Sequence, residues 1–178
     1  INNMAKKTTI INYGAGNIKS IINVFEKLNI NYGVSQSYNE ILESDFVILP
    51  GVGNFSYVMQ ILKESNLDEA IKKRYKLKKP ILGICLGMQI FFEKSEEAPY
   101  IKGLGLLKGT FKKIKKNGNH KRKAPHIGWH LVENFEIINI SNKKKLKFNN
   151  IKYYFLHSYF LDSFDKKNCK LYVDYKGL

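Results

Sequence analysis

Arginine is nearly missing from this chain. Of its thirty basic residues only Arg74 and Arg122 carry a guanidinium, although the formal net charge is +15. A charge of that size invites a nucleic-acid reading. The planar fork that grips phosphates and guanine edges is what arginine supplies, and lysine does not. The lysines cluster in 72–79, 108–123 and 143–147, interleaved with asparagine. That texture describes a solvated face, and no RNA-binding aromatic motif or zinc-finger spacing accompanies it. No nucleic-acid partner is expected. Cysteine is just as scarce, with Cys85 and Cys169 the only two. Two thiols cannot build a disulfide framework, and they suit a reducing compartment. No apolar run approaches the roughly 20 residues of a membrane span. The stretch Ile1-Asn2-Asn3-Met4 lacks the hydrophobic core of a signal peptide, so Met4 reads as the native start and the expected location is cytoplasmic.

What is present is a globular composition: 178 residues, 44% hydrophobic and 13% aromatic, enough for one compact domain over 1–178. The first half alternates short apolar runs with helical patterns. Thr8 to Asn12 is a strand candidate, and Ile18, Ile21, Ile22, Phe25 and Leu28 then mark one face of a helix that Asn17 can cap. A second strand, Phe46 to Leu49, precedes helices near 55–63 and 67–77. This alternation predicts an α/β fold, an open and mostly parallel sheet with helices on both faces. After Phe92 the runs shorten. Gly103 to Gly105, Phe111, Trp129 to Val132, Ile137 to Ile140 and Tyr153 to Phe160 predict extra β-hairpins or an added mixed sheet in the second half.

The most chemically pointed segment is Pro80 to Gln89, Pro-Ile-Leu-Gly-Ile-Cys-Leu-Gly-Met-Gln. Ile81, Leu82 and Ile84 read as a buried strand, and 86–92 as an apolar helix. Gly83 and Gly87 leave room for a sharp turn between them, with Cys85 at its apex. Gly-x-Cys-x-Gly is the thiol counterpart of the hydrolase serine elbow. At a helix N-terminus the dipole favours thiolate, the form that attacks a carbonyl. In open α/β sheets ligands sit beyond the carboxyl ends of the strands, so two further strand ends matter. Asn12 to Asn17 holds Gly14 and Gly16 but lacks the third glycine of a dinucleotide fingerprint, and no cofactor is expected. Pro50-Gly51-Val52-Gly53 has the small residues that let backbone N–H groups approach a ligand. With the Leu86 N–H, one of these could hold an oxyanion, a stabilisation on the order of 3 kcal/mol per donor.

Taken together, Tyr13-Gly14-Ala15-Gly16-Asn17, Pro50 to Gly53, Gly83 to Gln89, Pro125-His126-Ile127-Gly128-Trp129 and His157-Ser158-Tyr159 resemble the glutaminase subunits of imidazole glycerol phosphate synthase. These are class I glutamine amidotransferases with a flavodoxin-like sheet. The resemblance implies that Cys85 is the nucleophile, that Val52 or Gly53 with Leu86 forms the oxyanion hole, and that Gly51, Gln89, His157, Ser158 and Tyr159 line the glutamine pocket. It implies a partner too: a β/α-barrel cyclase that receives ammonia and makes imidazole glycerol phosphate in histidine biosynthesis. Asn12, Tyr13, Gly14, Gly16, Asn17, Pro125, His126, Gly128 and Trp129 are the expected partner-facing positions. No metal is implied.

Two departures stand out. His130 occupies the place after Gly-Trp where the family has asparagine. The His-Pro-Glu segment that completes the family's triad does not occur before Leu178, so the base and its carboxylate are expected beyond it. Among the four histidines present, His120 lies in a lysine run, His126 and His130 fall in the expected interface, and His157 is nearest the pocket by motif. Three competing readings remain: a paralogue supplying ammonia for surface-sugar amidination, a stand-alone thiol hydrolase of the same fold, and a noncatalytic binding subunit.

Overall fold

The computed structural model describes residues 7–115, 123–132, 136–138, 145–147, 151–165, 173 and 175. Met4, His120, Arg122 and Cys169 lie outside the described residues, as does 139–140 of the expected 137–140 run. Two compact units divide the chain, Ile1–Thr110 and Phe111–Leu178.

The first unit carries β1 (Thr8–Ile11), α1 (Ile18–Lys27), β2 (Tyr32–Ser35), α2 (Tyr38–Glu43), β3 (Phe46–Leu49), α3 (Phe55–Glu64), α4 (Leu67–Lys76), β4 (Ile81–Gly83), α5 (Leu86–Gln89) and β5 (Lys94–Ser95). Its four-stranded sheet runs β2-β1-β3-β4, parallel at every pairing. This is the predicted α/β architecture. Asn17 caps α1 as expected, its side chain accepting from the Ser20 N–H at 3.2 Å. Asn54 does the same for α3, accepting from the N–H groups of Ser56 at 2.9 Å and Tyr57 at 3.3 Å.

The core follows helical spacing. Phe55, Val58, Met59 and Leu62 of α3 are buried together with Leu67, Ala70 and Ile71 of α4, against Ile11, Val47 and Leu49 of the sheet. The next position in the α4 series is Arg74, fully buried. Its guanidinium donates to the carbonyls of Ile41 at 2.6 Å, Ser44 at 2.7 Å and Pro80 at 2.9 Å. It thereby ties the end of α2 to the start of β4. Burial lowers its pKa and the nearby Asp45 charge opposes that shift.

One expectation about β4 needs correction. Ile81 packs against the core cluster, but Leu82 and Ile84 are 44% and 39% exposed. Successive side chains of a strand point to opposite faces, and Leu82 stands on the face away from α3 and α4, at the edge of the described sheet. The following helix is also shorter than expected, a single turn ending at Gln89.

The second unit is built from short strands, as the sequence implied. β6 (Gly109–Lys113) begins at the boundary, followed by β7 (His126–Leu131), β8 (Glu136–Ile138), β9 (Lys145–Lys147), β10 (Lys152–His157) and β11 (Tyr159–Phe164). β7 pairs antiparallel with β10, and β8 with β9; β11 lies beside β6. The apolar run 153–160 is therefore not one strand. It breaks at Ser158, and its two halves take different partners.

Candidate active site

Cys85 sits at φ 54°, ψ −116°, a left-handed conformation that a side chain rarely adopts. Such strain is what an elbow imposes on its apex. Around it the backbone is stitched tightly: Ile84 N–H donates to Leu49 O, Gly87 N–H to Ile84 O and Met88 N–H to Cys85 O, each at 3.0 Å. The thiol is exposed. Since α5 is one turn long, a long-helix dipole is not there to draw on. The first amide of the turn, Leu86 N–H, has no intrahelical acceptor by geometry.

The glycines here are required by close approach. A Cβ on Gly51 would lie 2.1 Å from Gly87 N, one on Gly87 2.1 Å from Leu49 O, and one on Gly83 2.7 Å from Gly87 O. The end of β3, the 50–53 segment and the elbow are thus interlocked backbone to backbone. Val52 is 49% exposed, and Gly53 has φ 100°. Gln89 is buried at 8% exposure, and its Oε1 has no hydrogen-bond partner among the described residues. Cys85, Leu86, Gly51, Val52, Gly53 and Gln89 therefore belong to one unit, on consecutive or contacting segments.

Of the expected partner-facing residues in this unit, Asn12, Gly14 and Asn17 are exposed and Gly16 is half-buried. Tyr13 is different. Its side chain is 4% exposed and its hydroxyl donates to Pro50 O at 2.5 Å, so it presents no surface to a partner. The sequence places it in a glycine-rich turn, where an aromatic ring reads as exposed.

In the second unit the β7–β10 ribbon has two unlike faces. Tyr154 stands opposite Trp129 and Leu156 opposite Ile127, and with Leu131 these side chains are all exposed, Trp129 at 67%. Trp129 and Tyr154 meet edge to face at 5.6 Å. Of this group the motif points only to Trp129; the alternation of 127, 129 and 131 against 154 and 156 is the sequence pattern that carries the rest.

On the other face His126 is fully buried, which corrects its expected place on the partner surface. Its ring stacks on Tyr175 at 3.8 Å and Phe155 at 5.0 Å and meets His130 at 4.5 Å. His126 Nδ1 lies 2.9 Å from His157 Nε2, and His157 Nδ1 lies 2.8 Å from Tyr159 O. A carbonyl only accepts, so His157 Nδ1 bears the proton and His157 Nε2 accepts from His126 Nδ1–H. Burial, then the neighbouring His157 and His130, push the His126 pKa down to about 4. His157, Ser158 and Tyr159 are joined by this clamp across the break between β10 and β11. Pro125 is exposed, and Gly128 is half-buried and pairs with Phe155 in the ribbon.

Among the described residues no group of three His, Cys, Asp or Glu side chains is arranged to hold a metal ion, and no helix is long and apolar enough to cross a membrane.

The profile of the class-I glutamine amidotransferases matches residues 9–176. The chain is 43% identical over 157 residues to the imidazole glycerol phosphate synthase subunit HisH of Oceanobacillus iheyensis, covering 88% of this chain and 75% of that protein. Against the HisH subunit of Bacillus subtilis the identity is 37% over 169 residues, 93% of this chain and 77% of the relative. Two solved structures share the fold: one described as a glutamine amidotransferase, TM-score 0.65 at 12% identity over 89% of this chain and 75% of that one, and PurLQS from Thermotoga maritima, TM-score 0.59 at 21% identity over 98% and 78%. A strained cysteine elbow interlocked with a glycine-rich strand end, on a parallel sheet, in a sequence this close to HisH subunits, has one consistent family: the chain belongs to the class-I glutamine amidotransferases, alongside the HisH subunits of imidazole glycerol phosphate synthase.

Proposed function

We propose that this chain is the glutaminase subunit of an imidazole glycerol phosphate synthase, hydrolysing glutamine to glutamate and passing the ammonia to a β/α-barrel cyclase partner in histidine biosynthesis. The observation that carries the reading is the exposed, strained Cys85 locked against Gly51 through Leu86 and Gly87. Cys85 Sγ attacks the side-chain amide of glutamine. The tetrahedral oxyanion takes hydrogen bonds from Leu86 N–H and from a backbone N–H of Val52 or Gly53. Gln89, at the end of the single helical turn that Cys85 begins, is assigned to this pocket.

Collapse of the intermediate expels ammonia and leaves a thioester, which water hydrolyses to glutamate and free thiol. The departing ammonia takes a proton from a general acid, and the attacking water gives one to the same group acting as general base. His126 and His157 are engaged with each other and with Tyr159 O, which argues against either in that role.

Ammonia must remain unprotonated to act as a nucleophile, which favours a sealed route into the acceptor over release to water. The apolar face of Ile127, Trp129, Leu131, Tyr154 and Leu156 supports a docking role, since contiguous exposed apolar surface rimmed by polar residues marks interaction sites. The test is glutamate release by the gene's full-length product with and without the barrel cyclase. Strong activation by the cyclase is expected. Full activity alone points to the stand-alone hydrolase, and activation only by an enzyme that amidinates surface sugars points to the paralogue.

A further inference from the structure

Tyr13 is a buried hydroxyl that the mechanism above does not use. It donates to Pro50 O at 2.5 Å. The same carbonyl begins the segment on which the oxyanion donors stand. Because a peptide group is planar and trans, Pro50 C=O and Gly51 N–H point in opposite directions, and fixing one fixes the other. The next contact in the series is Gly51 against Gly87 N and the Leu86 carbonyl carbon, with no room for a Cβ. From the other side, Gly16 lies against Pro50, where a Cβ would stand 3.1 Å from the proline ring. The turn at 13–16 therefore holds Pro50 by one hydrogen bond and one packing contact, and Pro50 holds the first peptide plane of the 50–53 segment against the elbow.

Beyond Gly51 the segment is loosely held on its outer side. Val52 is half-exposed and a Cβ on Gly53 would meet open space, so the two amides that follow Gly51 take their direction from the plane before them. Burial pushes the Tyr13 phenol pKa up, so the hydroxyl keeps its proton and donates throughout the working pH range.

We propose that Tyr13 is a positioning residue for glutamine hydrolysis, orienting the Pro50–Gly51 peptide and through it the oxyanion-binding amides beside Cys85. The proposal rests on the assignment of Cys85 and the 50–53 segment made above. Its action is on the tetrahedral state and not on substrate binding or on the thiol itself.

The experiment compares wild type, Tyr13→Phe and Cys85→Ala, each as the full-length gene product in complex with the cyclase partner. Two quantities are read: steady-state glutaminase kinetics, and the rate of Cys85 alkylation by iodoacetamide, which needs a reactive thiolate but no oxyanion hole. For Tyr13→Phe, kcat should fall by about 10- to 100-fold, short of the roughly 100- to 1,000-fold lost when an oxyanion donor is removed outright. KM and the alkylation rate should stay within about twofold of wild type. Wild-type kcat in Tyr13→Phe would overturn the positioning role and leave the elbow assignment standing. A parallel fall in alkylation would also overturn it, because the substitution would then be disturbing the elbow as a whole. Turnover retained by Cys85→Ala would instead remove the assignment on which the proposal rests.

Discussion

Replacing Arg74 by methionine keeps the unbranched stem in its slot between α2, α4 and β4 and removes only the guanidinium. Two effects then compete. Burying an ion costs several kcal/mol even after relaxation, and the variant no longer meets that cost. Against this, three short hydrogen bonds disappear, to Ile41 O, Ser44 O and Pro80 O at 2.6, 2.7 and 2.9 Å. Pro80 O keeps the Val47 N–H at 3.3 Å, whereas the carbonyls of Ile41 and Ser44 stay behind in backbone that cannot turn away. A charged hydrogen bond contributes about 1.5–3 kcal/mol, and each buried carbonyl left alone costs about 1–3 kcal/mol. An isosteric swap is neutral only when both partners of a buried polar pair are replaced together, and here one side is main chain. The expected loss is therefore about 3–5 kcal/mol, since two neutral carbonyls left without a donor cost about 1–3 kcal/mol each. For a chain of this size that lowers Tm by roughly 6–20 °C. Urea unfolding followed by circular dichroism measures it directly. An Arg74→Met variant within about 1 kcal/mol of wild type would refute the claim that Arg74 satisfies these carbonyls.

Alanine at Gly51 puts a Cβ 2.1 Å from Gly87 N, a backbone clash that no rotamer relieves, so glutaminase kcat with the partner present should drop at least about 100-fold; a near-normal rate would show that the interlock is dispensable. The His126 pKa is depressed from 6.5 to about 4, so between those values the unfolded chain binds the proton and the folded chain does not. Stability should be full above about pH 6.5 and decline toward pH 4 by at most roughly 3 kcal/mol, at ~1.36 kcal/mol per pH unit; replacing His126 by phenylalanine should flatten that slope in urea titrations, and an unchanged slope would assign it elsewhere. Trp129→Ala removes a 67% exposed side chain, so Tm should hold while affinity for the cyclase, read by calorimetry, falls by at least about tenfold; unchanged affinity would move the docking face off this ribbon.

Much of this is legible in the residues because local chemistry and tertiary role agree. Asn17 caps the helix it precedes, Val47 to Leu49 of the apolar Phe46 to Leu49 strand are buried on both faces, and Gly83, Cys85 and Gly87 make the turn their spacing demands. β2 and α2 escape a sequence reading because Tyr32–Ser35 is largely half-buried and carries a glycine, leaving neither an apolar run nor a clean alternation. Arg74 looks like one more charge in a basic stretch; only the i, i+3, i+4, i+7 series from Leu67 hints that it faces inward. Tyr13 and His126 read as surface by motif, and their burial cannot be inferred locally because it depends on segments distant in sequence, Pro50 for one and Phe155, His157 and Tyr175 for the other. The break at Ser158 is invisible in an apolar run that continues through it.

The nucleophile is the point on which the rest depends. Cys85→Ala, expressed as the full-length gene product together with the proposed cyclase partner, should produce glutamate from glutamine at background rate. It should still copurify with the partner and leave the ammonia-dependent cyclase reaction intact, because the elbow reaches the substrate and not the docking face. Glutamate production within a few-fold of wild type would contradict the assignment of Cys85, and with it the chemistry derived from the elbow.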